Sequence, residues 1–506
     1  MSQRKMGTIL SYLQILITNS ISLFYTPYML RLMGQSEYGI YGTASSFISY
    51  LSLLSFGIGG SYIKFNSQYR ARNDVEGERR LNGMFFTIFS ILSIVVLIVG
   101  IVLIVCVGML VEDTFTPNEL YKLRIIMFIL TINVIATFIS NVVMMSILAY
   151  ERFIFMKVIL LLCGIITPVL NIIALKHGGR SIAISAISVT IPIISYIIYY
   201  FYARKVINFH FIFRGFDKSL FKEIFVFSGF LFLNSITDQI TFSTDNVILS
   251  ALKGTTVVAV YSVGSNFKTY FQNFSTSISS VFSSQINSIV AKSDDNNALS
   301  KIFIKVGRIQ FYVISLVIIG YISIGEKFVM MWAGSDYKES FWIGLLLMIS
   351  IFIPSFQNIS IQVQQAKNMH KARSVIYFLI ALCNVSLTIP LSISFGGIGA
   401  ALATAITMVI GYAIFMNYYN YKYVGLDIPG FWKSIVTILP GYVPPIIVGI
   451  LINRFYNLKS YLDILISALI IIVVFIGSIW LFSMNNYEKD LIRKPVLKLK
   501  NKLNRK

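Results

Sequence analysis

The chain has 506 residues, of which 56% are hydrophobic and 12% charged. A soluble globular domain carries roughly 25% charged residues, so this composition excludes one and points to a chain that faces lipid. The formal charge of +21 is spread over short loops between apolar stretches, which makes it a topology signal and gives no reason to expect a nucleic-acid partner.

The apolar stretches repeatedly pass the ~20 residues that a helix needs to cross a hydrocarbon core of about 30 Å. In lipid the backbone must satisfy itself, so these stretches are expected to be helices. The alternating ~10-residue strands of an outer-membrane barrel are absent from the sequence. In chain order the predicted spans are 7–31, 38–63, 82–111, 124–149, 153–175 and 181–203, then 222–252, 256–290, 302–325, 340–366, 372–394 and 397–421, and finally 432–453 and 460–483. The first is too long for a signal peptide and is read as a retained helix. The expected fold is therefore an all-α polytopic membrane protein of about fourteen transmembrane helices. Its expected parts are an N-terminal six-helix bundle (1–203), a connector (204–221), a C-terminal six-helix bundle (222–421), two additional helices (422–484) and a basic tail (485–506). Basic residues concentrate in alternate loops, and this asymmetry puts both termini in the cytoplasm. Cys106, Cys163 and Cys383 fall inside apolar spans and are expected to be packed thiols with no disulfide framework or metal site.

A shift of 220 residues places Gly34 on Gly254, Tyr41 on Tyr261, Ser55 on Ser275 and Asp74 on Asp294, and a shift of 218 places Gly178-Gly179 on Gly396-Gly397. An even number of helices per copy makes the two repeats parallel, related by an axis along the membrane normal. A substrate path between rocking halves is the expected consequence.

Leu32-Met33-Gly34 followed by Tyr38-Gly39-Ile40-Tyr41 resembles the first-loop signature of the oligosaccharide-lipid flippases, the Wzx-type polysaccharide exporters. Ala149-Tyr150-Glu151-Arg152-Phe153 resembles their basic turn between helices four and five, and Gly396-Gly397-Ile398-Gly399-Ala400-Ala401 the turn opening helix twelve. The resemblance covers nearly the whole chain and implies membership of the superfamily that also holds multidrug and peptidoglycan-precursor exporters. It implies a bacterial cytoplasmic-membrane protein that moves an undecaprenyl-diphosphate-linked repeat unit, working beside a polysaccharide polymerase or glycosyltransferases. A cation-coupled multidrug exporter is the alternative. The loops offer no metal, nucleotide or nucleophile motif, so an enzyme is not expected and no catalytic residue is assigned.

Polar residues inside spans are the candidate site, because a charge at mid-bilayer is costly unless it meets a cavity or a partner. In helix seven Asn234, Asp238, Thr241 and Asp245 form one stripe at helical spacing, and in helix eight Lys268, Gln272, Ser275 and Ser279 form another. Their repeat equivalents include Gln14, Thr18 and Ser52. The expectation is a hydrated cleft lined by helices one, two, seven and eight. Sugar hydroxyls would meet Gln14, Thr18, Ser52, Asn234 and Gln272, and Lys268 would attract the diphosphate. Asp238 or Asp245 would bind a coupling proton or sodium, with no other cofactor. The plainer alternative is that Asp238 and Lys268 form a structural pair that sets helix register. A second cluster, Gln357, Asn358, Gln362, Gln364 and Gln365, reads either as a headgroup entrance or as interhelical hydrogen bonding.

Overall fold

The computed structural model describes residues 3–215, 218–280, 282–293, 295–367, 369–456, 458–491 and 493. Every described element is a helix. In chain order they are α1 (Gln3–Met33), α2 (Gln35–Ser49), α3 (Gly59–Ala71), α4 (Val75–Val111), α5 (Pro117–Ala149), α6 (Phe153–Lys176), α7 (Ser181–Val206) and α8 (Lys218–Lys253). There follow α9 (Thr255–Ser280), α10 (Ser283–Lys292), α11 (Asn296–Ala333), α12 (Ser340–Ser350), α13 (Phe352–Phe356), α14 (Asn358–Ala366) and α15 (His370–Ile410). The chain closes with α16 (Asn417–Tyr419), α17 (Ile428–Val436), α18 (Val443–Phe455) and α19 (Tyr461–Phe482).

Local sequence explains where the helices start and turn. Thr116 and Glu119 close a capping box at the start of α5, with Pro117 at its first turn, and Ser460 with Asp463 does the same for α19. The Asp74 carboxylate accepts from Gly77 N at 2.7 Å to cap α4. Gly34 and Gly254, paired by the repeat, both take positive φ, at 84° and 81°, where a side chain would be strained. Gly178 and Gly396 form a second such pair.

Among the described residues, eight helices are long and apolar enough to cross a membrane, or nine when the bent pair Ile428–Val436 and Leu439–Phe455 is taken as one span. This is consistent with the larger number read from the sequence, because the continuous stretch Ala372–Val424, 53 residues long, contains the non-helical Gly396. The polar residues of α8 and α9 also dilute their hydropathy. The bend of 43° falls at the break between Val436 and Leu439, just before a Pro440-containing 3₁₀ turn, Leu439–Tyr442.

The chain divides into two compact units, one of residues 1–262 and 377–403, the other of 263–376 and 404–506. In the first, α4, α5 and α7 enclose a core of Phe85, Phe89, Phe138, Ile126 and Val142. Ile94, Ile98, Val102, Val105 and Met109 run down the opposite side of α4 and are exposed, the stripe expected to meet lipid. The segment after α7 lays Phe211 and Phe213 on Phe86, and Ile212 N donates to Arg79 O at 3.0 Å, so the connector is partly docked on α4. In the second unit α11 is the central post, with Phe303 stacked on Phe431 at 4.4 Å and Phe311 between Phe356 and Tyr442. The three cysteines are free; Cys106 and Cys163 are half-buried as expected, whereas Cys383 is exposed on the surface of α15.

Candidate functional site

A polar face of α8 that carries Gln239, Ser243 and Asn246, beside the predicted stripe, meets α2 inside the first unit. Asn246 Nδ2 donates to Ser46 Oγ at 3.0 Å, Ser49 Oγ to Ser243 Oγ at 3.1 Å, and Tyr50 OH lies 2.5 Å from Thr244 Oγ1. Gln239 Nε2 donates to Ser49 Oγ. Such bonds average about 0.6 kcal/mol each between membrane helices, so the seam holds the helices in register and can be exchanged at small cost. Below it the predicted second span does not continue as one helix. It passes through a 3₁₀ turn, Tyr50–Ser55, and reverses hand at Phe56 (φ 48°) and Gly57 (φ 67°) before α3 begins. Irregular backbone at membrane depth is tolerated where it is buried in protein or lines a cavity. Ser52 sits on this turn, exposed, donating to Ser49 O at 2.5 Å.

Asp245 lies one turn beyond Thr241 on α8 and is 3% exposed. Its Oδ2 accepts from the Tyr261 hydroxyl, and Thr388 Oγ1 stands 3.4 Å from Oδ1. Thr388 also donates to Asn384 Oδ1 at 2.7 Å. A carboxylate, two hydroxyls and an amide oxygen form a hard-oxygen set, chemistry that holds a proton or an alkali cation. The first repeat carries an uncharged version of the same arrangement: Tyr25, which aligns with Asp245, accepts from Asn171 Nδ2 of α6 at 2.8 Å. Polar pairing thus occupies matching helices in both copies, and the carboxylate appears only in the second.

The α1 residues face α6. Lys157 Nζ reaches Gln14 Oε1 at 3.4 Å, and Thr18 Oγ1 lies beside Gly164. Asn234 and Asp238 are on α8, but their side chains lie outside the described residues. In the second unit Lys268 is buried, 6% exposed, and Gln272 is half-buried on the same helix. Two turns after Lys268, Ser275 Oγ donates to Ser355 O at 2.5 Å, while Ser275 O accepts from Gln310 Nε2 at 3.1 Å.

Several residues that the stripes did not include belong to these sites. Asn384 and Thr388 are spaced i, i+4 in a mostly apolar span, a signal of the same kind as the α8 stripe. Arg308 of α11 carries no such pattern. It pairs through Nε and Nη2 with both Glu488 oxygens at 2.5 and 2.9 Å, and Nη1 donates to Ser434 O at 2.9 Å. One buried guanidinium thereby joins α11, α17 and the segment after α19.

At the end of the first unit where Gly34 and Gly254 turn the chain, α2 and α9 cross at close range. A Cβ on Gly39 would overlap the Thr255 carbonyl. Glu119 ties the crossing together, accepting from the Ser36 hydroxyl and from Thr255 Oγ1 at 2.9 Å. Beside it Glu37 is paired with Lys122 and accepts from the Ser181 hydroxyl. Gly39→Ala is expected to cost about 1–3 kcal/mol of stability by overpacking, read as a lower thermal midpoint of the purified protein.

An all-helical bundle with long apolar spans, some of them broken, and buried polar residues between its helices defines a multi-pass membrane protein. The fold is similar to "Lipid II flippase MurJ, inward closed conformation", with TM-score 0.72 and 16% identity over 96% of this chain and 99% of that one. It is also similar to an inward-facing multidrug resistance MATE family transporter of the MOP superfamily (TM-score 0.69, 12% identity, 81% of this chain and 95% of that one). An outward-facing MATE family transporter of the same superfamily matches with TM-score 0.55 and 12% identity over 84% of this chain and 93% of that one. No curated protein matches the chain in sequence. The family model described as "Polysaccharide biosynthesis protein" matches residues 5–284, and the chain belongs to that family.

Proposed function

We propose that this transporter flips a polyprenyl-diphosphate-linked oligosaccharide from the inner to the outer leaflet of a bacterial cytoplasmic membrane for surface polysaccharide assembly, by alternating access and with both termini cytoplasmic. The observation that carries the reading is coverage: 96% of the chain follows the lipid II flippase fold, against 81% for the inward-facing multidrug transporter. A lipid-linked cargo needs a path for its chain as well as for its headgroup. An apolar cavity of about 350 Å³ between α11 and α18, lined by Ile318, Ile319, Ile322, Ile446 and Ile450, suits the polyprenyl tail. Lys268 is assigned to the diphosphate, as a compact cation, and Gln272, Asn234, Gln14, Thr18 and Ser52 to sugar hydroxyls. Asp245, with Tyr261, Thr388 and Asn384, is assigned to the coupling proton or sodium, and Asp238 remains the second candidate for that role.

In proteoliposomes, Lys268→Ala is expected to lower flipping of a polyprenyl-diphosphate oligosaccharide by tenfold or more, the loss of about 1.4 kcal/mol or more of charge-assisted binding. Unchanged flipping by a correctly folded variant refutes the Lys268 assignment. Export of lipophilic cations in the same vesicles, with no flipping, would favour the multidrug reading.

A further inference from the structure

The predicted tenth span is interrupted twice, at Ile351 and at Gln357, between α12, α13 and α14. Its buried face carries Gln357, Ser360 and Gln364, spaced i, i+3 and i+7 so that they stack along one side. Gln357 is 0% exposed, and among the described residues neither its Oε1 nor its Nε2 has a hydrogen-bond partner. Ser360 Oγ and Gln364 Oε1 are unpartnered as well.

The neighbouring helices bring more of the same. Gln310 of α11 is fully buried and leaves its Oε1 unused; a Cβ on Gly307, one turn earlier, would lie 3.0 Å from Phe356 O, so this part of α11 abuts the break at Gln357. The twelfth span is π-helical over Gly411–Met416 and Asn420–Val424. Between and beside these segments Asn417 Oδ1 and Asn420 Nδ2 are buried without partners. Gln364 Nε2 donates to Asn420 Oδ1 at 2.6 Å, which fixes the two helices against each other at that level. π-Helical turns occur mostly as local insertions and frequently at functional sites.

Buried amides and hydroxyls without partners are heavily penalised, and turning the Gln357 amide over does not help, since both of its ends are unused. The set mixes acceptors with donors and includes no carboxylate, which suits a neutral ligand that both donates and accepts. From this we infer that the face shared by the tenth and twelfth spans holds a file of internal water bridging Gln357, Ser360, Gln364, Gln310, Asn417 and Asn420. Such water normally makes about three hydrogen bonds to otherwise unsatisfied groups. Because water exchanges its partners readily, the file also lets two interrupted helices repack without stranding their amides.

X-ray radiolysis of the purified protein, with mass spectrometry of the oxidised peptides, tests this, since hydroxyl radicals made from bound water label buried side chains beside it. Met416 and Met127 are both 0% exposed; Met416 belongs to the π-helical turn preceding Asn417, and Met127 to the apolar core of the first unit. Met416 is expected to be oxidised and Met127 to stay unmodified; a Met416 as silent as Met127 overturns the inference. A second variant gives an independent reading. Gln357→Leu should lower the thermal midpoint by displacing water and leaving its other partners unsatisfied, whereas an unchanged or raised midpoint means the face is dry.

Discussion

Asp245→Asn is expected to reduce transport by about 100-fold while leaving the protein folded, a loss on the order of 2.7 kcal/mol. The substitution keeps the side-chain volume and a polar tip for Tyr261 and Thr388 at the carboxylate, so packing is nearly conserved. What it removes is the negative charge, and with it the capacity to take up and release a cation or proton. Thr388→Ala should give a weaker effect of the same kind, because the hydroxyl only completes the oxygen set. Transport rate and thermal midpoint, measured on the same purified variant, separate coupling from folding. A variant that transports at the wild-type rate would remove Asp245 from the mechanism and leave it as a structural partner of Tyr261.

Arg308→Gln is expected to be the most destabilising of the single substitutions considered, at about 3–5 kcal/mol, because breaking a buried pair from one side leaves the other charge uncompensated. Both side chains are nearly inaccessible, at 9% and 4%. Glu488 also accepts from Tyr312 OH at 3.1 Å and from Asn485 N at 2.9 Å, so the loss would spread through the segment that follows α19. The double variant Arg308→Met, Glu488→Leu should recover most of the loss, since well-packed apolar replacements of a buried pair are often neutral or stabilising. Thermal unfolding of the single and double variants checks this. If the single substitution leaves the midpoint unchanged, the pair does not hold the last helices to α11.

The helical class and most of the spans were legible because composition and span length leave lipid few alternatives. The repeat was legible at its turns, where Gly34 and Gly254 take matching φ that only a flexible residue adopts easily. Asp245 could be found from spacing along one helix. Its partner Thr388 could not be tied to it, being 143 residues away in a span whose pairing depends on tertiary contact. Gln14 was read from its face of the helix, but its contact with Lys157 of α6 was not, since helical spacing places residues on a common face without saying which neighbour that face meets. Arg308 was hidden for another reason. A charge near the start of an apolar span, following Lys301 and Lys305, reads as an interfacial residue, and its partner lies 180 residues later. The interruption at Phe56-Gly57 had a local signal in the glycines around it, whereas that at Gln357 had none comparable.

The central claim is tested most directly in the lipid extract of cells lacking this gene. Mass spectrometry should find a complete polyprenyl-diphosphate oligosaccharide accumulating while the corresponding surface polysaccharide disappears, and the accumulated species would name the glycan. An unchanged lipid profile together with increased sensitivity to cationic dyes would contradict the flippase reading and establish a multidrug exporter in its place.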